Sequence, residues 1–266
     1  MKSFDDNIEI DPRDFACVVL PDLDYDAQLI AIRSLLRVHE NIDEELGKEI
    51  IKIEEFAKNT KGLRNEYAVD EWVDRLHSSI FQSAAHSMSA VGMLAPLMES
   101  IFYQAFYGIH KNLFSEKQNP NSHLRWGQSD ADKWNCHFVW GKSGRKEDLV
   151  RGIMQLSEAT GLKPFLPHDL ELVLNVLFSY RNKMFHCGFE WPVEERTRFW
   201  SRIQKESWPT NWLNKATSGD TPWIIYLSGE FIWHCVETIE QLIDSFGEFV
   251  VEKSGMAQQV NKPDRK

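Results

Sequence analysis

The stretch Leu170–Gly188, LELVLNVLFSYRNKMFHCG, limits the folds open to this chain more than any other. From Leu170 to Phe178 it is apolar on nearly every side, and a helix apolar all round has to be buried among other elements. It then turns polar at Tyr180, Arg181, Asn182, Lys183 and His186, and Gly188 is placed to end it. The chain must therefore wrap a rod whose far end carries an Arg, an Asn and a His.

What surrounds that rod reads as helix. Leu29, Ile30, Ile32, Leu35, Leu36 and Val38 repeat at helical spacing to about Glu40, and Ile50, Ile51, Ile53 and Phe56 form the apolar face of a second helix over Glu44–Lys58. After a short linker or third helix, a long helix is predicted over roughly Asp70–Leu113. Its seam is Ile80, Ala84, Val91, Leu94, Met98, Ile101 and Ala105, and its first half is kept thin by serines and alanines. Further helices are predicted from about Lys146 to Thr160, stopped by Gly161, and from Val193 to Lys205. The last is predicted to run from a Thr221–Pro222 start to about Lys253, with Leu227, Phe231, Cys235, Ile239, Leu242, Phe246, Phe249 and Val250 on one face.

Residues 115–145 break this rhythm. Trp126, Trp134 and Trp140 stand among Gly, Asn, Ser and Asp, which predicts an ordered insert, since so much aromatic area would not stay in water. No alternating strand series is read. The fold class is therefore all-α, an up-and-down helical bundle with an irregular Trp-rich insert. Residues 1–60 are read as an acidic arm and helices, 61–253 as the bundle and 254–266 as a disordered tail.

With Lys+Arg 30 against Asp+Glu 40 the net charge is −10, which argues against a protein that coats nucleic acid non-specifically. Residues 1–26 are strongly acidic, whereas 181–205 hold six basic and three acidic side chains. That segment is either a local positive field or an ordinary solvated face. Cys17, Cys136, Cys187 and Cys235 show no paired spacing. The acidic N-terminus is no signal peptide, and the longest apolar run, Ala90–Met98, is too short to span a bilayer. The expected setting is cytoplasmic, away from membranes. His123, Cys136 and His137 lack a second spaced pair, so no metal and no cofactor are expected.

Arg181 is the only arginine followed by a histidine five places on. The bare spacing is expected about 0.4 times by chance in a chain of this composition, so its context carries the weight. Asn182 and His186 are i and i+4 and share a helix face. Arg181 and His186 are separated by about 140° on a regular helix. Either the last turn unwinds, or a second copy of the chain supplies one of the two groups. The chemistry suits RNA. Histidine takes and gives protons near neutral pH, and arginine matches phosphate oxygens and stabilises charge growing on a phosphoryl group. Asn182 would orient the imidazole or the phosphate. The metal-free route is attack of the ribose 2′-OH on the adjacent phosphate, leaving a cyclic phosphate and a free 5′-OH.

At Arg181-Asn182-Lys183-Met184-Phe185-His186 the sequence resembles the HEPN superfamily of small helical bundles, whose signature is Arg, a polar residue, three variable residues, then His. The long earlier helix with LAPLMES also resembles the first bundle helix of that family, in which an acidic residue often faces the site; Glu99 is its match. The likeness covers residues 75–250 as architecture and six residues as motif. It implies a metal-independent ribonuclease working as a homodimer, with paired Arg and His groups meeting at the interface. Many members act as toxins or in phage defence with an antitoxin or sensor protein as partner, and others have lost activity and serve as binding modules. This chain departs from the compact type in its length, its acidic N-terminal region and its insert.

The leading expectation is thus an endoribonuclease with Arg181, His186 and Asn182 catalytic and Lys183, Tyr180 and Glu99 at the substrate. The alternative is a non-catalytic binding or scaffold module contacting a protein partner. A third reading is a helical sensor whose insert lines a small-ligand pocket.

Overall fold

A computed structural model describes residues 11–114, 123–127, 131–142 and 144–255. Six α-helices dominate the described residues: α1 (Tyr25–Asn59), α2 (Leu63–Gly108), α3 (Leu149–Thr160), α4 (Leu170–Cys187), α5 (Val193–Lys205) and α6 (Gly229–Lys253). The chain is an all-α helical bundle, as expected. None of its described helices is long and apolar enough to cross a membrane.

Two compact units are assembled from segments distant in sequence. The first comprises Met1–Asp24, Leu97–Leu174 and Glu237–Lys266; the second comprises Tyr25–Pro96 and Asn175–Val236. Residue 60, the expected end of the N-terminal region, lies inside the second unit.

Within the first unit, Ile101, Phe102, Ala105 and Phe106 of α2 are fully buried, with Leu242, Ile243, Phe246 and Phe249 of α6. Phe102 meets Phe246 edge-on, and Phe165 meets Phe249. The described part of the acidic arm packs into this unit. Pro12–Val18 forms a 3₁₀ turn capped by Asp11, with Ala16, Val19 and Leu20 buried and Arg13 paired to Glu240 and Asp244, both at 2.6 Å. Residues 1–10 and 256–266 lie outside the described residues, and with them most of the expected tail.

The insert belongs to this unit. Its described part holds two 3₁₀ turns, Leu124–Gly127 and Ala131–Trp134, and an antiparallel hairpin of β1 (Phe138–Gly141) and β2 (Gly144–Glu147), in register Phe138 opposite Glu147. Trp126, Trp134 and Phe114 pack ring to ring, and Trp126 Nε1 donates to the Ala159 carbonyl at 3.2 Å. The hairpin lies close against α3, because Gly152 faces the Cys136 carbonyl where a Cβ would collide with backbone. Cys136 is buried, and burial pushes its thiol up to about 12. Native protein treated with iodoacetamide at neutral pH is therefore expected to alkylate the exposed Cys17 first and leave Cys136 unmodified until the chain unfolds. Peptide mass mapping checks this, and early labelling of Cys136 would contradict it.

In the second unit, α1 and the start of α2 pair as a helical hairpin. The two helices expected over residues 29–58 are one, since no Gly–Pro break separates them and Asn41–Glu44 continue the helix. Their predicted apolar face is only half right: Ile50 is buried, but Ile51 and Phe56 are exposed, as are Ile30, Leu35, Val38 and Ile42. The α2 seam holds from Ala84 to Ala105, every member of it buried.

The expectation of no strands and of a helix starting at Thr221 is corrected here. β3 (Leu213–Ser218) and β4 (Thr221–Leu227) form an antiparallel hairpin, with Leu213 opposite Leu227 and a register shift between Ala216 and Thr217. The run PWIIYL is aromatic and β-branched, and it gains more from pairing than a Thr–Pro start gains from helix. The last helix begins at Gly229, where the Ser228 hydroxyl accepts from the Phe231 amide at 3.1 Å. The thin side of α2 receives this hairpin: the Ser87 hydroxyl accepts from the Leu227 amide at 2.9 Å.

Candidate functional site

The rod read from the sequence is observed. Val173, Leu174, Val176 and Leu177 are fully buried, and α4 continues through Cys187. It stops where predicted, at Gly188, whose φ of +69° suits glycine and whose amide donates to the Met184 carbonyl at 2.9 Å. The last turn therefore does not unwind.

Within α4 the end of the helix divides by face. Tyr180 and Met184 are fully buried, while Asn182, Phe185 and His186 are exposed. Arg181, Asn182, Phe185 and His186 line one cavity of about 400 Å³, whose opposite wall is Val91, Gly92 and Pro96 of α2. Gly92 makes room for this arrangement. A Cβ there would lie 3.5 Å from the Phe185 ring, so any side chain larger than methyl would occupy the cavity. The 140° between Arg181 and His186 is spanned by the length of the arginine: its Nη1 reaches to 3.4 Å from Asn182 Oδ1, on the histidine side of the helix. A guanidinium, a carboxamide and an imidazole thus share one concave, solvent-facing site in a single protomer.

The other three expected site residues lie elsewhere, and each has a physical reason. Tyr180 is a correction. It is fully buried, its hydroxyl donates to the Ile225 carbonyl at 3.1 Å and its ring packs on Trp191, so it anchors the hairpin and is closed to substrate. Burial also pushes the Tyr180 phenol well above its ordinary range. Lys183 is held in an ion pair with Glu195 and is not among the residues lining the cavity. Glu99 belongs to the first unit, where its carboxylate meets His137 Nε2 at 2.8 Å; it does not line the cavity either.

Three cations of the basic segment 181–205 pair with carboxylates. Glu195 takes both Lys183 and Arg198, Arg202 pairs with Glu206 at 2.8 Å, and Arg196 donates to the Trp223 carbonyl at 2.8 Å. The two cations on Glu195 hold its carboxyl below the usual carboxylate range, the hydrogen bond from Lys183 being the largest cause. His123, Cys136 and His137 also separate. His123 Nδ1 accepts from the Arg125 amide, Cys136 is buried and His137 is taken by Glu99 and Asn135. Among the described residues no group of three His, Cys, Asp or Glu side chains is placed to hold a metal ion.

Two residues that sequence reasoning passed over organise these units. Arg125 is buried at the centre of the insert, and its isolated position in LRWG gave no sign of that. His86 of α2 is buried, its Nδ1 meeting Asp43 while its Nε2 has no hydrogen-bond partner. Comparison with protein-family models, curated proteins and solved structures finds no match for this chain.

Proposed function

We propose that this protein is a metal-independent endoribonuclease of HEPN type, acting as a homodimer whose composite cleft brings Arg and His groups to one phosphodiester. His186 moves the proton between the ribose 2′-OH and the leaving 5′-oxygen, Arg181 neutralises charge growing on the phosphate, and Asn182 orients one of them. The observation that supports this most is the convergence of Arg181, Asn182 and His186 on one open cavity at the end of a buried helix. A toxin or phage-defence role, with an antitoxin or sensor partner, and a cytoplasmic setting go with the same reading. The direct test is cleavage of single-stranded RNA in EDTA with analysis of the ends. Products carrying cyclic phosphate and free 5′-OH support the reading, and intact RNA counts against it.

The homodimer has its own anchor. Phe185 is exposed between the motif residues, and Val193 of α5 is exposed as well. An exposed phenylalanine inside a polar constellation is the kind of side chain a partner buries. Phe185→Asp is expected to shift the protein from dimer to monomer in sedimentation velocity at micromolar concentration and to lower RNA cleavage in parallel. A dimer that survives the change places the interface elsewhere.

A second reading is favoured by a different observation. Ile30, Leu35, Val38 and Ile42 are exposed along α1 in a chain of net charge −10. An apolar stripe on an acidic surface suits a non-catalytic module that docks a protein partner. The RNA assay separates the two readings.

A further inference from the structure

The cavity that holds Arg181, Asn182 and His186 has a second half that phosphoryl chemistry leaves unused. Its volume of about 400 Å³ lies in the range of about 300–1,000 Å³ usual for small organic ligands. Val91, Gly92 and Pro96 of α2 and Phe185 of α4 line that half, and none of them has a polar side chain. Phe185 is 55% exposed, and a Cβ on Gly92 would stand 3.5 Å from its ring. A phosphate with its ribose hydroxyls is polar on every side and gains little from such a wall. A flat group with an apolar face gains a stacking partner in the phenyl ring and contact with the aliphatic side chains.

The backbone adds one hydrogen-bond acceptor to this wall. The helix α2 runs unbroken from Leu63 to Gly108 with Pro96 inside it. Proline has no N–H, so the carbonyl four residues earlier loses its helical donor, and the pyrrolidine ring crowds that carbonyl. Here the carbonyl is that of Gly92. No side chain or loop of the described residues donates to it. Gly92 and Pro96 both line the cavity. A ligand that covers this wall excludes water from the carbonyl and must answer it with a donor, because buried acceptors are rarely left unpaired. The fitting occupant thus combines a flat apolar face with an N–H on its edge. A nucleobase has both, and its pairing edge is free only in unpaired RNA.

We infer that the α2 side of this cavity is a nucleobase subsite, in which a base beside the scissile phosphate lies against Val91, Pro96 and the Phe185 ring and donates to the Gly92 carbonyl. The inference rests on the ribonuclease reading of the same cavity, and it makes the substrate RNA that is unpaired and locally unstacked at the cut. With no side-chain donor or acceptor on the wall, the subsite selects for the presence of a base more than for its identity.

Binding is measured without cleavage. The 5′-monophosphates of adenosine, guanosine, cytidine and uridine, and base-free ribose 5-phosphate, are titrated into the full chain, with the Phe185 ring protons and the Gly92 amide followed by NMR. The nucleotides are expected to bind about tenfold or more tightly than ribose 5-phosphate and to shift both signals. In Gly92→Leu, whose side chain fills the wall, that preference should fall to about one. Pro96→Ala keeps the cavity open but returns an N–H to the helix, and should lower the preference by about three- to tenfold. Both changes favour helix, so the melting temperature should not fall and lost binding would not report unfolding. Phe185 is left in place because its loss would also disturb the dimer. Nucleotides bound no more tightly than ribose 5-phosphate, or a preference that survives Gly92→Leu, overturn the inference. No binding of any probe at millimolar concentration overturns it as well. An unchanged preference in Pro96→Ala overturns the role of the carbonyl. The ribonuclease reading is judged apart from these results. RNA cut to cyclic-phosphate ends by a chain with no base preference removes the subsite and keeps the nuclease. A base preference in a chain that leaves RNA whole keeps the subsite and removes the nuclease.

Discussion

His186→Ala is expected to cleave RNA at least about a hundredfold more slowly than the parent chain, because a positioned general acid–base contributes on the order of 10²–10⁴. The melting temperature should stay where it was. His186 is exposed and lines an open cavity, and surface substitutions of that kind usually change stability by no more than about 0.5 kcal/mol. Arg181→Ala should lose a comparable factor, since deleting one donor aimed at developing negative charge costs roughly 10²–10³. The neighbouring Met184 sets the contrast. It is fully buried, so Met184→Ala should lower stability by about 2–5 kcal/mol through the cavity it leaves, whatever it does to cleavage. Undiminished cleavage by His186→Ala would end the assignment of that residue.

Mixing the two inactive variants asks a sharper question. Arg181 and His186 of one protomer line the same cavity, so the pair has the means to act within a single chain. The proposed composite site instead takes arginine from one protomer and histidine from its partner. In a twofold dimer of that kind, a heterodimer of Arg181→Ala with His186→Ala rebuilds one intact site from the two unmutated groups. Random exchange then restores about one quarter of the parent activity, half the dimers carrying one site of two. If each protomer works alone, no combination restores any. Recovery against no recovery therefore locates the chemistry across the interface or within one chain.

The parts of this fold that were legible in the sequence are those fixed by local chemistry. Gly161 and Gly188 both adopt positive φ and end α3 and α4 where their positions predicted, and α5 spans Val193–Lys205 as read. The α2 seam was legible because burial imposes its period directly. The hairpins were not. Between β3 and β4 the sequence Ser218-Gly219-Asp220 is a turn signal, with Gly219 at φ +60°, but β3 alternates poorly, reading buried, exposed, exposed. Its identity comes from pairing with PWIIYL, which no single segment announces. The site residues divide in the same way. Asn182 and His186 share a face by helix geometry alone, whereas the fates of Tyr180, Lys183 and Glu99 were decided by Ile225, Glu195 and His137, each at least twelve residues away.

Arg125→Met is expected to cost several kcal/mol, because buried acceptors that lose their donor cost about 1–3 kcal/mol each before relaxation, and to lower the melting temperature by roughly 10 °C. The guanidinium is completely buried yet faces no carboxylate in its hydrogen bonds. It donates to the carbonyls of Lys133, Asn135, Phe138 and Gly152 and to Gln155 Oε1, and it stacks at 4.4 Å over the Trp140 ring. Burial pushes its pKa down to about 10, so it stays charged at neutral pH and is stabilised by carbonyl dipoles in place of a counter-ion. Methionine keeps most of the side-chain length and removes every donor. Acceptors in the Ala131–Trp134 turn, at Asn135, in β1 and in α3 then lose that donor, Gln155 Oε1 keeping the Trp140 amide, and each buried acceptor left unanswered costs about 1–3 kcal/mol before relaxation. Arg125→Lys keeps the charge but offers one compact head in place of a planar fork, so it should recover only part of the loss. The effect should be local in hydrogen exchange. Amides of residues 131–141 and of α3 would lose protection, while those of α4 keep theirs. A variant that melts within a degree of the parent, with the insert still protected, would show that the tryptophan cluster holds this region without its buried cation.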